Sequence, residues 1–188
     1  MLTTAQQATL KTAVQADNVL KTLPPGPDSA AAVVTAFNLP DVSNTVVWWS
    51  HTPVDNIFNS LTWANYTPND AADGTAIYTN RTLLAQTKQM NLQNMLVGRE
   101  TINMTNPLTR QGLKDAVHNL PTGAGGALTE VAGVQGVTLL TAGLRPTLAS
   151  RFEKLFSSGP QTTQAVTADV LVIEGQLSQT DVQQAMGW

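Results

Sequence analysis

The chain has 188 residues, a formal net charge of −3 and no cysteine, which excludes a disulfide scaffold and any Cys-ligated zinc site. Only 12% of its residues are charged, about half the roughly 25% of ordinary soluble domains, and no basic run offers the face that broad binding to nucleic acid requires. The length suffices to bury a core in a single domain, residues 1–188, and no apolar stretch is long enough to cross a membrane.

Thr, Asn, Gln, Ser and Gly take the place of charge. Such a surface fits burial against other subunits, because interface cores are depleted in Lys, Glu and Asp; compositional drift accounts for it equally well. Met1 to Gln7 shows neither the basic nor the apolar region of a secretion signal.

In chain order, Thr3 with Gln6 reads as a capping box, and Leu10, Ala13 and Val14 predict a helix from about Thr4 to Ala16. Leu23-Pro24-Pro25-Gly26-Pro27 is a stiff connector, poor in donors. Asp28 or Ser29 caps an alanine-rich helix to about Phe37, closed by Asn38-Leu39-Pro40. Thr45 to Trp49 has strand character. Thr52-Pro53-Val54-Asp55 then supplies N-cap, N1 proline and N3 acid for a helix carrying Val54, Ile57, Phe58 and Leu61 on one side.

A longer helix is predicted from about Thr75 to Leu92, with Ala76, Leu83, Met90 and Val97 spaced seven apart as its apolar side and Arg81 and Lys88 one heptad apart. Asn106-Pro107 starts another, with Leu113, Val117 and Leu120 inward and Pro121 ending it. Residues 121–143, with glycines at 123, 125, 126, 133, 136 and 143, read as a loop or arm, given a cost of about 1 kcal/mol for each glycine inside a helix.

The last quarter is the most strongly signalled. Pro146 suits a first helical position, and Leu148, Phe152, Leu155 and Phe156 share a face; Ser157-Ser158-Gly159-Pro160 stops that helix. Residues 166–173 form a strand, apolar on both faces at Val170 to Ile173, which needs a partner in this chain or in a neighbouring copy. Ser178 caps a terminal helix, with Asp181 as a short capping-box acid and Leu177 stapled onto Val182. The fold class is therefore mainly α: a helical bundle with a small β element, near 45–49 and 166–173, and an extended glycine-rich arm.

Catalytic constellations lack parts. There are two histidines. His51 stands four residues before Asp55, where a partly exposed histidine at a helix entrance explains it better than a general base does; an edge position explains His118. Gly123 to Gly126 lacks the spacing and the preceding strand of a dinucleotide cradle. Asn69 to Gly74 lacks the alternating acids of a calcium loop. The three Asn-x-Thr matches, at Asn65, Asn80 and Asn103, are chance in an Asn- and Thr-rich chain. The four tryptophans suit core or interface anchors better than a base-stacking platform, since no basic side chains are interleaved among them. No cofactor and no metal is expected, and the chain reads as non-enzymatic.

The order of motifs resembles small virion structural proteins of tailed bacteriophages. It is carried by Leu2 to Gln6, Thr52 to Phe58 after a Trp-containing segment, Leu92 to Arg99, Arg110 to Ala116, Arg151 to Phe156, and Glu174 to Ser178 with Asp181-Val182, nearly the whole chain. The helical build with a small β element is similar to that of head-to-tail adaptors. That resemblance implies a virion subunit at the neck, in a ring commonly of about twelve copies, partnered by the portal protein and by tail or neck proteins, with DNA passing through its channel without sequence-specific binding. A tail-completion, tail-terminator or baseplate-linked protein is the alternative within the particle. A small cytosolic enzyme or ligand-binding module is the alternative outside it.

Docking is expected in the C-terminal segment 174–188, through Leu177, Ser178, Asp181, Val182 and Trp188, and on the arm at Gly125 and Gly126. On that expectation, removing Gln176 to Trp188 leaves the secondary structure largely intact.

Overall fold

Thr3 opens the first helix. Its hydroxyl accepts from the Gln6 amide at 3.3 Å while the Gln6 side chain accepts from the Thr3 amide at 2.8 Å, the reciprocal capping box, and α1 then runs Thr4–Ala16. In the computed structural model, which describes residues 1–66, 76–118, 120 and 132–188, seven further α-helices follow: α2 Pro27–Asn38, α3 Val54–Asn59, α4 Ala76–Leu96, α5 Pro107–Val117, α6 Ala132–Ala142, α7 Arg151–Leu155 and α8 Gln179–Met186. Two small sheets accompany them. β1 Thr52–Pro53 pairs antiparallel with β2 Thr101–Ile102, Thr52 opposite Ile102, and β3 Ser157–Thr163 pairs with β4 Val166–Leu171. The fold is mainly α with a small β element.

Packing divides the described residues into two compact units: Met1–Val47 with Pro146–Pro160 and Asp169–Trp188, and Trp48–Arg145 with Gln161–Ala168. Each is assembled from segments distant in sequence. No exposed linker therefore marks a boundary, as it does between domains placed end to end.

In the first unit, Leu10 and Val14 of α1, Val33 and Phe37 of α2, Phe152 of α7, Leu177, and Val182 of α8 share one apolar core. Ala30, Val33 and Phe37 fall at i, i+3 and i+7, so α2 presents a single stripe to it. At its edge the Arg151 guanidinium lies 4.4 Å from the centre of the Phe37 ring and 2.8 Å from the Asp17 carboxylate. Asp17 also accepts from the amides of Val19 and Leu20 at 2.9 and 3.0 Å. Those amides, Leu20 first, and then Arg151 pull its pKa from 3.8 down to about 2. Nearby, buried Asp169 accepts from Lys154 Nζ and Ser157 Oγ, both at 2.7 Å.

Several local expectations are corrected. Thr45 to Trp49 makes no strand: Val47 and Trp48 form isolated bridges, to Asp169 and to Leu144, because their neighbours are single passing segments and no continuous ladder can form. Thr52 is the first residue of β1 and caps nothing; its hydroxyl donates to the carbonyls of Trp49 and Gly143 at 3.1 and 3.2 Å. The helix predicted from Pro146 starts at Arg151, where Ser150 and Glu153 form a capping box missed in the sequence.

Ser157 to Pro160, expected to be only a stop signal, begins β3. There Gly159, at φ 89°, and donor-less Pro160 suit an outer strand. β4 thus finds its partner in the preceding residues of the same chain, across the turn at Gln164-Ala165.

The arm expected over 121–143 is helical from Ala132 to Ala142. Leu139 and Leu140 are fully buried there, and a Cβ at Gly136 would run into the Gln164 side chain, so glycine permits close packing that offsets its propensity cost. Residues 121–131, with Gly125 and Gly126, lie outside the described residues.

Candidate assembly surface

Three of the five C-terminal residues expected to dock are buried within their own chain. Leu177 and Val182 are inside the first unit's core, 2% and 0% exposed. The Asp181 carboxylate is turned to its own chain: Oδ1 accepts from the Leu2 amide at 3.0 Å and Oδ2 from the Ser178 hydroxyl. Burial alone would raise its pKa, yet the Ser178 and Leu2 donors hold it below the usual carboxylate range. Ser178 spends its hydroxyl on the helix cap, accepting from the Asp181 amide at 3.2 Å. Trp188 is half-buried against the same core, and left-handed Gly187, at φ 74°, turns the chain end back onto it. These contacts hold α8 in place, while Ser178 is exposed and Trp188 keeps part of its surface open.

The chemical candidates are equally occupied or dispersed. His51 Nδ1 is 2.6 Å from the Ser50 hydroxyl, and no cluster of three metal-ligating side chains occurs among the described residues. No helix there is long and apolar enough to cross a membrane. Trp63 stacks on Phe58 with ring centroids 5.5 Å apart. Trp48 is fully buried, with the Arg110 guanidinium 4.5 Å from the centre of its ring.

Arg110, on α5, was read only as part of a motif. It is 1% exposed. Nε donates to Thr163 Oγ1 at 2.8 Å, Nη1 to the carbonyls of Met104 and Thr105 at 2.6 and 2.9 Å, and Nη2 to Gln161 Oε1 at 2.8 Å. Every partner among the described residues is neutral, and burial lowers its pKa. The Trp48 indole completes the node by donating to the Gln161 carbonyl at 3.0 Å. A cation so enclosed pins the hairpin tip.

Among the described residues, one side of α4 carries a spaced row of exposed apolar side chains. Its buried side is Ala85, Leu92 and Leu96, all within 1% of full burial. The predicted heptad stripe is the opposite side: Leu83, Met90 and Val97 are 55, 59 and 68% exposed. At 3.6 residues per turn, Leu83 and Ala85 stand roughly 160° apart. Val97 continues the helical bonding by donating to the Gln93 carbonyl at 2.8 Å. The exposed positions between them, Gln86, Thr87, Asn91, Gln93 and Asn94, are all neutral.

The sequence shows the period of seven but not which way it faces. The overlooked signal was the second apolar set, Ala85-Leu92-Leu96, two residues out of phase. A helix apolar on opposite sides needs cover on both.

Beside the stripe a groove of about 400 Å³ runs between α4 and α5, lined by Lys88, Asn91, Asn94, Met95, Gly112 and Asp115. Gly112 keeps it open, since a Cβ there would stand 3.0 Å from Met95 Cε. The charges at its rim are engaged: Lys88 Nζ donates to the Asp115 carbonyl, and the Asp115 carboxylate accepts from Gln111 Nε2 at 3.0 Å. Comparison of the chain with protein-family models, with curated proteins and with solved structures found no match.

Proposed function

We propose that this protein is a structural subunit of a tailed-phage neck, a head-to-tail adaptor that assembles as a ring under the portal and joins it to the tail. The single observation supporting an assembling role is α4, apolar on two opposed sides, of which the described residues bury one. Wet, uncharged and repeated every seven residues, the other side is the kind of surface that association removes from water. The choice of the neck rests on the resemblance in motif order described above. A net charge of −3 accords with a channel wall that lets DNA pass without gripping it.

The test is localisation in purified particles. A fixed number of labelled copies at the portal vertex is the expected result. Particles that contain none of the chain, or carry it only at the distal tail, would refute the neck assignment.

A further inference from the structure

We infer that the uncovered stripe of α4 is closed by a second copy of this chain, packed head to tail, with Leu83, Met90 and Val97 of one copy against the α4–α5 groove of the next. The inference rests on the reading of the protein as an assembling subunit and names its partner and its contact.

Three observations carry it. The first is shape. Successive stripe residues rise about 10.5 Å along the helix, a row of knobs, and Met95 on the groove floor stands roughly 140° around α4 from Met90. Asn94, on the groove rim, is only about 40° from Met90, so knob row and groove are adjacent faces of one helix that meet along a neutral polar border. Contacts between unlike patches continue from copy to copy into a ring or filament, whereas stripe on stripe would stop at a two-fold pair.

The second is charge. The stripe and the polar residues beside it are neutral, and the ions at the groove rim already have partners within the chain, Lys88 at the Asp115 carbonyl and Asp115 at Gln111. The stripe brings no ion of its own into the groove, and Lys88 and Asp115, opposite in sign, keep at its rim the partners they already have.

The third is area. Fifteen residues of helix give a face about 22 Å long and 10–12 Å wide, well short of the roughly 800 Å² per partner of a free-standing complex. One such contact makes a weak pair. A subunit held on both flanks buries twice as much, and closing a ring adds the last contact without a further association cost.

Sedimentation of the full chain over a wide concentration range tests this, with circular dichroism as the check on folding. The wild type should pass from single copies to species larger than two. Met90→Lys on the stripe and Gly112→Leu in the groove should each weaken association roughly 100-fold. Mixed, the two variants keep one intact groove and one intact stripe, and should form pairs and nothing larger. If Gly112→Leu loses helicity, Asp115→Trp, from an exposed position on the same groove, takes its place.

A wild type that stays single at every concentration overturns the inference. So does a Met90→Lys variant that assembles like the wild type, or a groove variant that assembles normally or fails to pair with Met90→Lys. In each of these cases localisation in the virion is still free to support or refute the neck assignment.

Discussion

Val182→Ala decides whether α8 is a detachable docking element or part of the first unit's core. Val182 is fully buried in the cluster that includes Leu10, Val14, Val33 and Phe37. The substitution removes two methyl groups, worth about 0.8 kcal/mol each in transfer terms. It also leaves a void of roughly 50 Å³, which at about 24 cal/mol per Å³ adds up to ~1 kcal/mol if the walls do not relax. The expected loss is about 1.5–3 kcal/mol, or roughly 5–10 °C in Tm. Urea denaturation followed by far-UV circular dichroism reads it.

Gln184→Ala is the control. It lies two residues away and is exposed, giving up one bond from Gln7 at 3.2 Å, and should cost under about 0.5 kcal/mol. Equal midpoints for the two variants would refute the assignment of α8 to the core. The truncation lacking Gln176 to Trp188 extends the same reasoning. It deletes Leu177, Val182 and Ala185 from the core together with the flanking Met186 and Trp188, roughly 5–8 kcal/mol of apolar burial. That is the size of many a domain's whole stability. The truncated chain should lose the helices of the first unit, the reverse of what a peripheral segment would do.

Arg110→Lys keeps the buried charge but cannot reproduce the planar fork that meets Thr163, Gln161 and two carbonyls over the Trp48 ring; it should cost about 2–3 kcal/mol and alter tryptophan emission, and an unchanged denaturation midpoint would contradict the pin. Asp17 carries an acid dependence. Because its folded pKa, about 2, is below the ordinary 3.8, its contribution to stability is complete above 3.8 and is lost as the pH falls toward 2. Asp41 and Asp181 move in the same direction, burial opposing and hydroxyl and amide donors prevailing. Stability measured from pH 5 down to about 2 should fall less steeply for Asp17→Asn than for the wild type; parallel curves would show that the Asp17 contacts contribute nothing.

By itself the sequence determined the elements whose signals are local. The Thr3–Gln6 capping box, Asn106 with Pro107 at the start of α5, and Ser178 at the start of α8 are satisfied by atoms within three residues, so their chemistry is complete in a short window. Tertiary structure decided everything that depends on which side faces inward. A period of seven on α4 says that Leu83, Met90 and Val97 share a side, but which side is buried depends on what packs against the helix, and the buried residues are Ala85, Leu92 and Leu96.

In the same way Gly136 is tolerated in α6 because Gln164 approaches it, and Arg110 is enclosed by Gln161 and Thr163, about fifty positions downstream. The two units are likewise interleaved in sequence. Long-range closeness leaves no composition mark, since the physical cause of each placement is an atom contributed from elsewhere in the chain.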